Sequence, residues 1–70
     1  MSNNANVHPR HALLVGLTND YLADTGKSAS WLGHVVASDR RLIPNLKRGQ
    51  HVPLTTRVKL AERILAHYAA

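Results

Sequence analysis

Apolar residues recur along this chain at threes and fours, and strict alternation is absent. Leu13, Leu14, Leu17, Tyr21 and Leu22 fall at helical spacing. Pro9 suits a first helical turn, where its missing N–H costs nothing, and Thr25-Gly26 reads as a stop. A first helix is therefore predicted over about 9 to 24. Ser28 is a fitting N-cap for a second helix, with Leu32, Val35 and Val36 as its buried face and Trp31 on its flank. Ala37-Ser38 forms a turn. Asp39 then offers its carboxylate to the free N–H groups opening a third helix. Leu42, Ile43 and Leu46 are the apolar side of that helix, and Gly49 is its C-terminal stop. Residues 50–54 form a linker, and Thr55 or Thr56 caps a last helix. Val58, Ala61, Ile64, Leu65 and Tyr68 place that helix against the first two. The fold class is all-α, and the chain carries no internal repeat.

Seventy residues make one small domain. The Asn-rich start, residues 1–7, is expected to be a disordered tail, with the domain over 8–70. The start has no apolar run of the signal-peptide kind. No segment reaches the roughly 18 apolar residues of a membrane span. A cytoplasmic location without membrane contact is the default expectation. There is no cysteine, so disulfides and thiolate metal sites are excluded.

Nine Lys and Arg against four Asp and Glu give a formal net charge of +5. Positive charge suits a polyanionic partner, although by itself it does not name one. Its distribution is more informative. Arg40, Arg41, Lys47 and Arg48 crowd into the third predicted helix together with Asn45. Two short helices with a tight turn between them, the second one basic, suit a helix-turn-helix docked on DNA.

Thr25 to Gly49 resembles the Cro and phage-repressor family of helix-turn-helix proteins. Gly26-Lys27-Ser28 matches the family's Gly-x-Ser entry to the second helix. Gly33 matches its small residue at the helix crossing, Val36 the hydrophobic one that follows, and Arg48-Gly49 the basic-Gly end of its recognition helix. Asp39, Leu42, Ile43, Leu46 and Gly49 also match a core seen in short bacterial helix-turn-helix proteins. The resemblance implies a compact four-helix, lambda-repressor-like domain. It also implies a sequence-specific regulator of double-stranded DNA, a repressor acting by promoter occlusion, that binds a palindrome as a homodimer. Three departures stand out. Ala37 replaces the usual turn glycine, and alanine in a left-handed conformation is strained. Pro44 falls inside the third helix, which would then either start as a loose turn over 40–43 or kink. Four helices are predicted where the family often has five.

On this reading Arg40, Arg41 and Asn45 meet base edges, arginine suiting guanine and asparagine adenine. Either arginine could hold a phosphate instead. Lys27, Ser28, Ser30, Lys47, Arg48, Gln50 and His51 are placed at phosphates. Plain capping accounts for Ser28, and helix-end electrostatics for Lys47 and Arg48, without DNA. Leu60, Ile64 or Tyr68 on the last helix offers a dimer surface, unless these are core positions, which the sequence does not distinguish. Two other classes stay open: a protein-interaction module of the antitoxin or phage-adaptor kind, and a non-specific architectural DNA binder.

Enzyme chemistry finds little support. Asp20 and Asp24 are four apart but lack the surroundings of a carboxylate pair. There is no Gly-rich phosphate loop, nucleophile elbow or His-Glu pair. The five histidines, 8, 11, 34, 51 and 67, form no tight ligand set. No cofactor and no small-molecule substrate are expected.

Overall fold

A computed structural model describes residues 9–69; the expected tail over 1–7, and His8, lie outside them. A 3₁₀ turn at Pro9–His11 leads into α1 (Ala12–Thr25), followed by α2 (Ala29–Ala37), α3 (Leu42–Lys47) and α4 (Leu54–Ala69). The helices form a compact four-helix domain consistent with a helix-turn-helix type of fold. α2 packs on α3, and α4 lies against both α1 and α2. The core is Val15 and Tyr21 from α1, Leu32 from α2, the three α3 residues Leu42, Ile43 and Leu46, Val52, and Leu60 with Ile64 from α4. Fully buried side chains of this kind contribute about 2 kcal/mol each in gross hydrophobic free energy.

Local chemistry sets the helix ends. Gly26 ends α1 in the left-handed conformation (φ 71°), and its N–H donates to the Leu22 carbonyl. Ser28 caps α2 as expected, its hydroxyl accepting the Trp31 N–H at 3.0 Å. At the end of α3 the Gly49 N–H donates to Leu46 and the Gln50 N–H to Asn45. Gly49 has φ 75°. This is the paired-carbonyl stop that glycine favours. The turn after α2 departs from expectation. Ala37 stays helical, and Ser38 takes the left-handed conformation (φ 53°, ψ 35°). The strain foreseen at Ala37 thus falls one residue later.

The helix faces also need correcting. On α1 the core face is Val15, Thr18 and Tyr21, whereas Leu14, Leu17 and Leu22 are half-buried and Leu13 is 82% exposed. The Thr18 hydroxyl donates to the Leu14 carbonyl at 2.8 Å, which lets a polar residue sit in the core. On α2 Leu32 is buried, while Val35 turns outward. α4 begins at Leu54, so Thr55 and Thr56 lie within its first turn and cap nothing. Its core residues are Leu60 and Ile64; Val58, Leu65 and Tyr68 are exposed. Leu60 and Ile64 are therefore core and offer no dimer surface. The linker contributes as well, since Val52 is buried.

Candidate nucleic-acid interface

The α2–α3 corner is closed by Gly33. A Cβ at this position would lie 2.2 Å from the Asp39 carbonyl oxygen and 3.2 Å from the Leu42 Cβ. The Gly33 carbonyl accepts the Asp39 N–H at 3.2 Å. Only a residue without a side chain allows this approach, so the small contact expected at the crossing is present.

Asp39 serves a turn and does not cap the helix. Its Oδ1 accepts the Arg41 N–H at 2.9 Å, and its carbonyl accepts the Leu42 N–H at 3.1 Å. α3 consequently starts at Leu42, with Arg41 in the cap position and no side-chain cap. Arg40 and Arg41 stand in the turn before the helix, both exposed. The late start also accommodates Pro44. As the third helical residue it lacks an N–H that would have had no partner within the helix. The carbonyl its ring would meet belongs to Arg40, outside the helix. The first helical bond, Asn45 N–H to the Arg41 carbonyl, is 2.9 Å long. Of the two outcomes expected of Pro44, the structure has the loose start, a turn at Arg40 and Arg41, and no kink within α3.

α3 turns Leu42, Ile43 and Leu46 into the core. Exposed arginines stand before it (Arg40, Arg41) and after it (Arg48), and Lys47 is half-buried at its end. Asn45 is half-buried, and its Oδ1 accepts a hydrogen bond from the Arg48 guanidinium. This i,i+3 pair occupies the carboxamide oxygen that a base-reading role would use. Gln50 and His51 are exposed in the following connection. Asp39 is the sole carboxylate between residues 25 and 61.

At the start of α2, Ser30 is exposed and the Ser28 hydroxyl is engaged in its cap. The Lys27 ammonium lies 5.1 Å from the centre of the Trp31 ring, and the Arg63 guanidinium 5.3 Å from it. Both are within cation–π range, so Trp31 holds Lys27 beside the positive end of the α2 dipole. The sequence placed Trp31 on the flank of the second helix and left Arg63 unassigned.

Two further residues support this face from a distance. Arg10 Nη1 donates to the Gly49 carbonyl at 3.0 Å, and His11 Nε2 donates to the Gln50 carbonyl at 3.1 Å. The 3₁₀ turn is thereby tied to the chain leaving α3. Partners 39 residues apart leave no local signal. Arg57 Nε likewise donates to the Val52 carbonyl at 3.0 Å and fixes the entry to α4. Among the described residues no three His, Cys, Asp or Glu come together as a metal site, and no helix is long and apolar enough to cross a membrane.

No known protein family, no curated protein and no solved structure matches the chain.

Proposed function

We propose that this chain is a sequence-specific double-stranded DNA-binding regulator of the Cro and phage-repressor kind, acting as a repressor by occupying its site. The observation that carries the reading is the setting of α3. It buries Leu42, Ile43 and Leu46 on one side and is bracketed by exposed Arg40, Arg41 and Arg48. Arg40 and Arg41 are the base readers, because guanidinium groups suit guanine edges in the major groove. Asn45 joins them when Arg48 exchanges its carboxamide partner for a phosphate. Lys27, Ser30, Lys47, Gln50 and His51 hold the backbone, with the N–H groups around Ser28 at the start of α2. Six residues at 1.5 Å rise give α3 a length of about 9 Å, enough for only a few base pairs. Two copies on a palindrome supply the rest of the interface.

Site selection from a random duplex library at near-physiological salt tests this reading. A palindrome is expected. Replacing Arg40 and Arg41 together by alanine is expected to weaken specific binding by about a hundredfold or more with the thermal transition unchanged, since both are exposed. Recovery of random sequence with steep salt dependence would replace this reading by an architectural role. Failure to bind DNA at all would move it to a protein partner.

A further inference from the structure

The chain has six arginines, and the structure sorts them by what their side chains hold. Arg10, Arg48 and Arg57 donate to the Gly49 carbonyl, the Asn45 carboxamide and the Val52 carbonyl. Arg40 and Arg41 stand before α3 on the proposed base-reading face. Arg63 is left. It is exposed in the second half of α4, with its guanidinium 5.3 Å from the centre of the Trp31 ring. Among the described residues this guanidinium has no hydrogen-bond acceptor and no carboxylate partner. The exposed Lys27 ammonium, 5.1 Å from the same ring centre, has none either.

One ring thus gathers two cations from distant parts of the chain. Cation–π attraction positions each charge and leaves its N–H donors unused. The two distances put the charges within roughly 10 Å of each other, about one Debye length at 0.1 M salt. At that separation they repel one another and jointly attract an anion. Glu62 adjoins Arg63 on α4, but neighbouring helical positions do not face each other. It lies with Lys59 and Arg63 in the groove between α2 and α4, where Lys27, Lys59 and Arg63 outnumber it. The location narrows the choice of anion. Lys27 directly precedes Ser28, at the edge of the proposed DNA interface. The packing of α4 on α2 brings Arg63 to the same point.

We infer that Arg63, seated on Trp31 beside Lys27, is a phosphate contact to duplex DNA, giving the last helix a hold on the backbone outside the α2–α3 unit. The inference rests on the DNA-binding reading and adds to it a residue and a helix which that reading does not use. Trp31 is the positioning residue. It keeps both cations together and leaves their donors to phosphate oxygens, which a guanidinium meets with strong charge-assisted bonds. Such a contact carries no sequence information. It acts through affinity and salt dependence, alike on every duplex.

The test is fluorescence anisotropy of the full chain on two labelled duplexes of equal length, one recovered by site selection and one of random sequence, as salt is varied. Arg63→Gln is expected to weaken both by the same factor, about fivefold at about 0.1 M salt. It should also lower the slope of log K against log salt by about 0.9. Its thermal transition should stay where it is, since Arg63 is exposed. Arg57→Gln removes the same charge from the side of α4 that faces α1, and is expected to leave the slope nearly unchanged. Trp31→Leu keeps the net charge and is expected to weaken both duplexes about threefold, and Trp31→Phe, which keeps a ring, to restore most of that loss. The wild-type chain gives a reading that needs no variant: the N–H resonance of its one indole should shift as duplex is added. An unchanged slope in Arg63→Gln, an equal loss in Arg57→Gln, no loss in Trp31→Leu or an unmoved indole signal overturns the inference while the DNA-binding reading stands. A loss confined to the selected duplex overturns it too, because Arg63 would then act through base readout. A wild-type chain that binds neither duplex overturns both.

Discussion

Gly33 and Ser38, five residues apart, make opposite demands on the backbone. Gly33 has ordinary helical geometry and no space. The Cβ of Gly33→Ala meets a backbone oxygen, which cannot rotate away, so the α2–α3 corner must open. The expected loss is about 1–3 kcal/mol, read as a lower urea midpoint. Ser38 has space and an unfavourable conformation. A left-handed non-glycine residue costs about 1–2 kcal/mol, and glycine gives part of that back through greater freedom in the unfolded chain. Ser38→Gly is therefore expected to raise stability by up to about 1 kcal/mol in the same urea experiment. A drop would mean that the serine contributes more than its backbone strain costs. The position matters because the turn aims Arg40 and Arg41.

At the scale of elements, the features read correctly are those with local causes. Gly26, Ser28 and Gly49 each close a helix end through bonds within a few residues, and all three act as their sequence context predicts. The buried face of α1 was not legible, because Leu13, Leu14 and Leu17 compete with Val15, Thr18 and Tyr21 at equally good helical spacing. Packing against α4 decides between them. The start of α3 was misplaced because an aspartate before a helix and an aspartate in a turn look alike in sequence. For the candidate interface, the exposed basic residues were visible. The Asn45–Arg48 pair was hidden in a spacing not weighed as a contact, and the Arg10 and His11 ties lay too far away in sequence. Pro44 gives the corrected helix start a test. If it lies in the first turn without strain, its rigidity stabilises the fold, and Pro44→Ala is expected to lower stability by about 0.5 kcal/mol. A gain in thermal stability would instead show that proline was distorting the helix.

For the whole molecule, α1 is held at both ends. Its start is tied to the end of α3 through Arg10 and His11. Near its other end, the Tyr68 hydroxyl of α4 donates to an Asp24 carboxylate oxygen. The His67 ring lies edge-on between Tyr21 and Tyr68. The hydrogen bond to Asp24, with smaller effects of desolvation and the surrounding charge, pushes the Tyr68 hydroxyl up to about 12 from 10.0. A folded-state pKa above the unfolded one stabilises the fold fully below pH about 10. That contribution is lost as pH rises through about 12. Tyrosinate absorbance of the native protein should therefore show a late-titrating group that disappears in Tyr68→Phe and moves back toward 10.0 in Asp24→Asn. An unchanged titration in Asp24→Asn would show that the two side chains do not meet in solution.

The two ties on α1 also set an order of events as the chain folds. The α2–α3 corner joins neighbours, so its loops close at little entropic cost and early in folding. α1 is completed last, because its ties close long loops: one partner lies 39 residues away and the other 44. Until α4 docks, the helix that begins the domain has one end fastened and the other free, and Tyr21 lacks the His67 ring that packs against it.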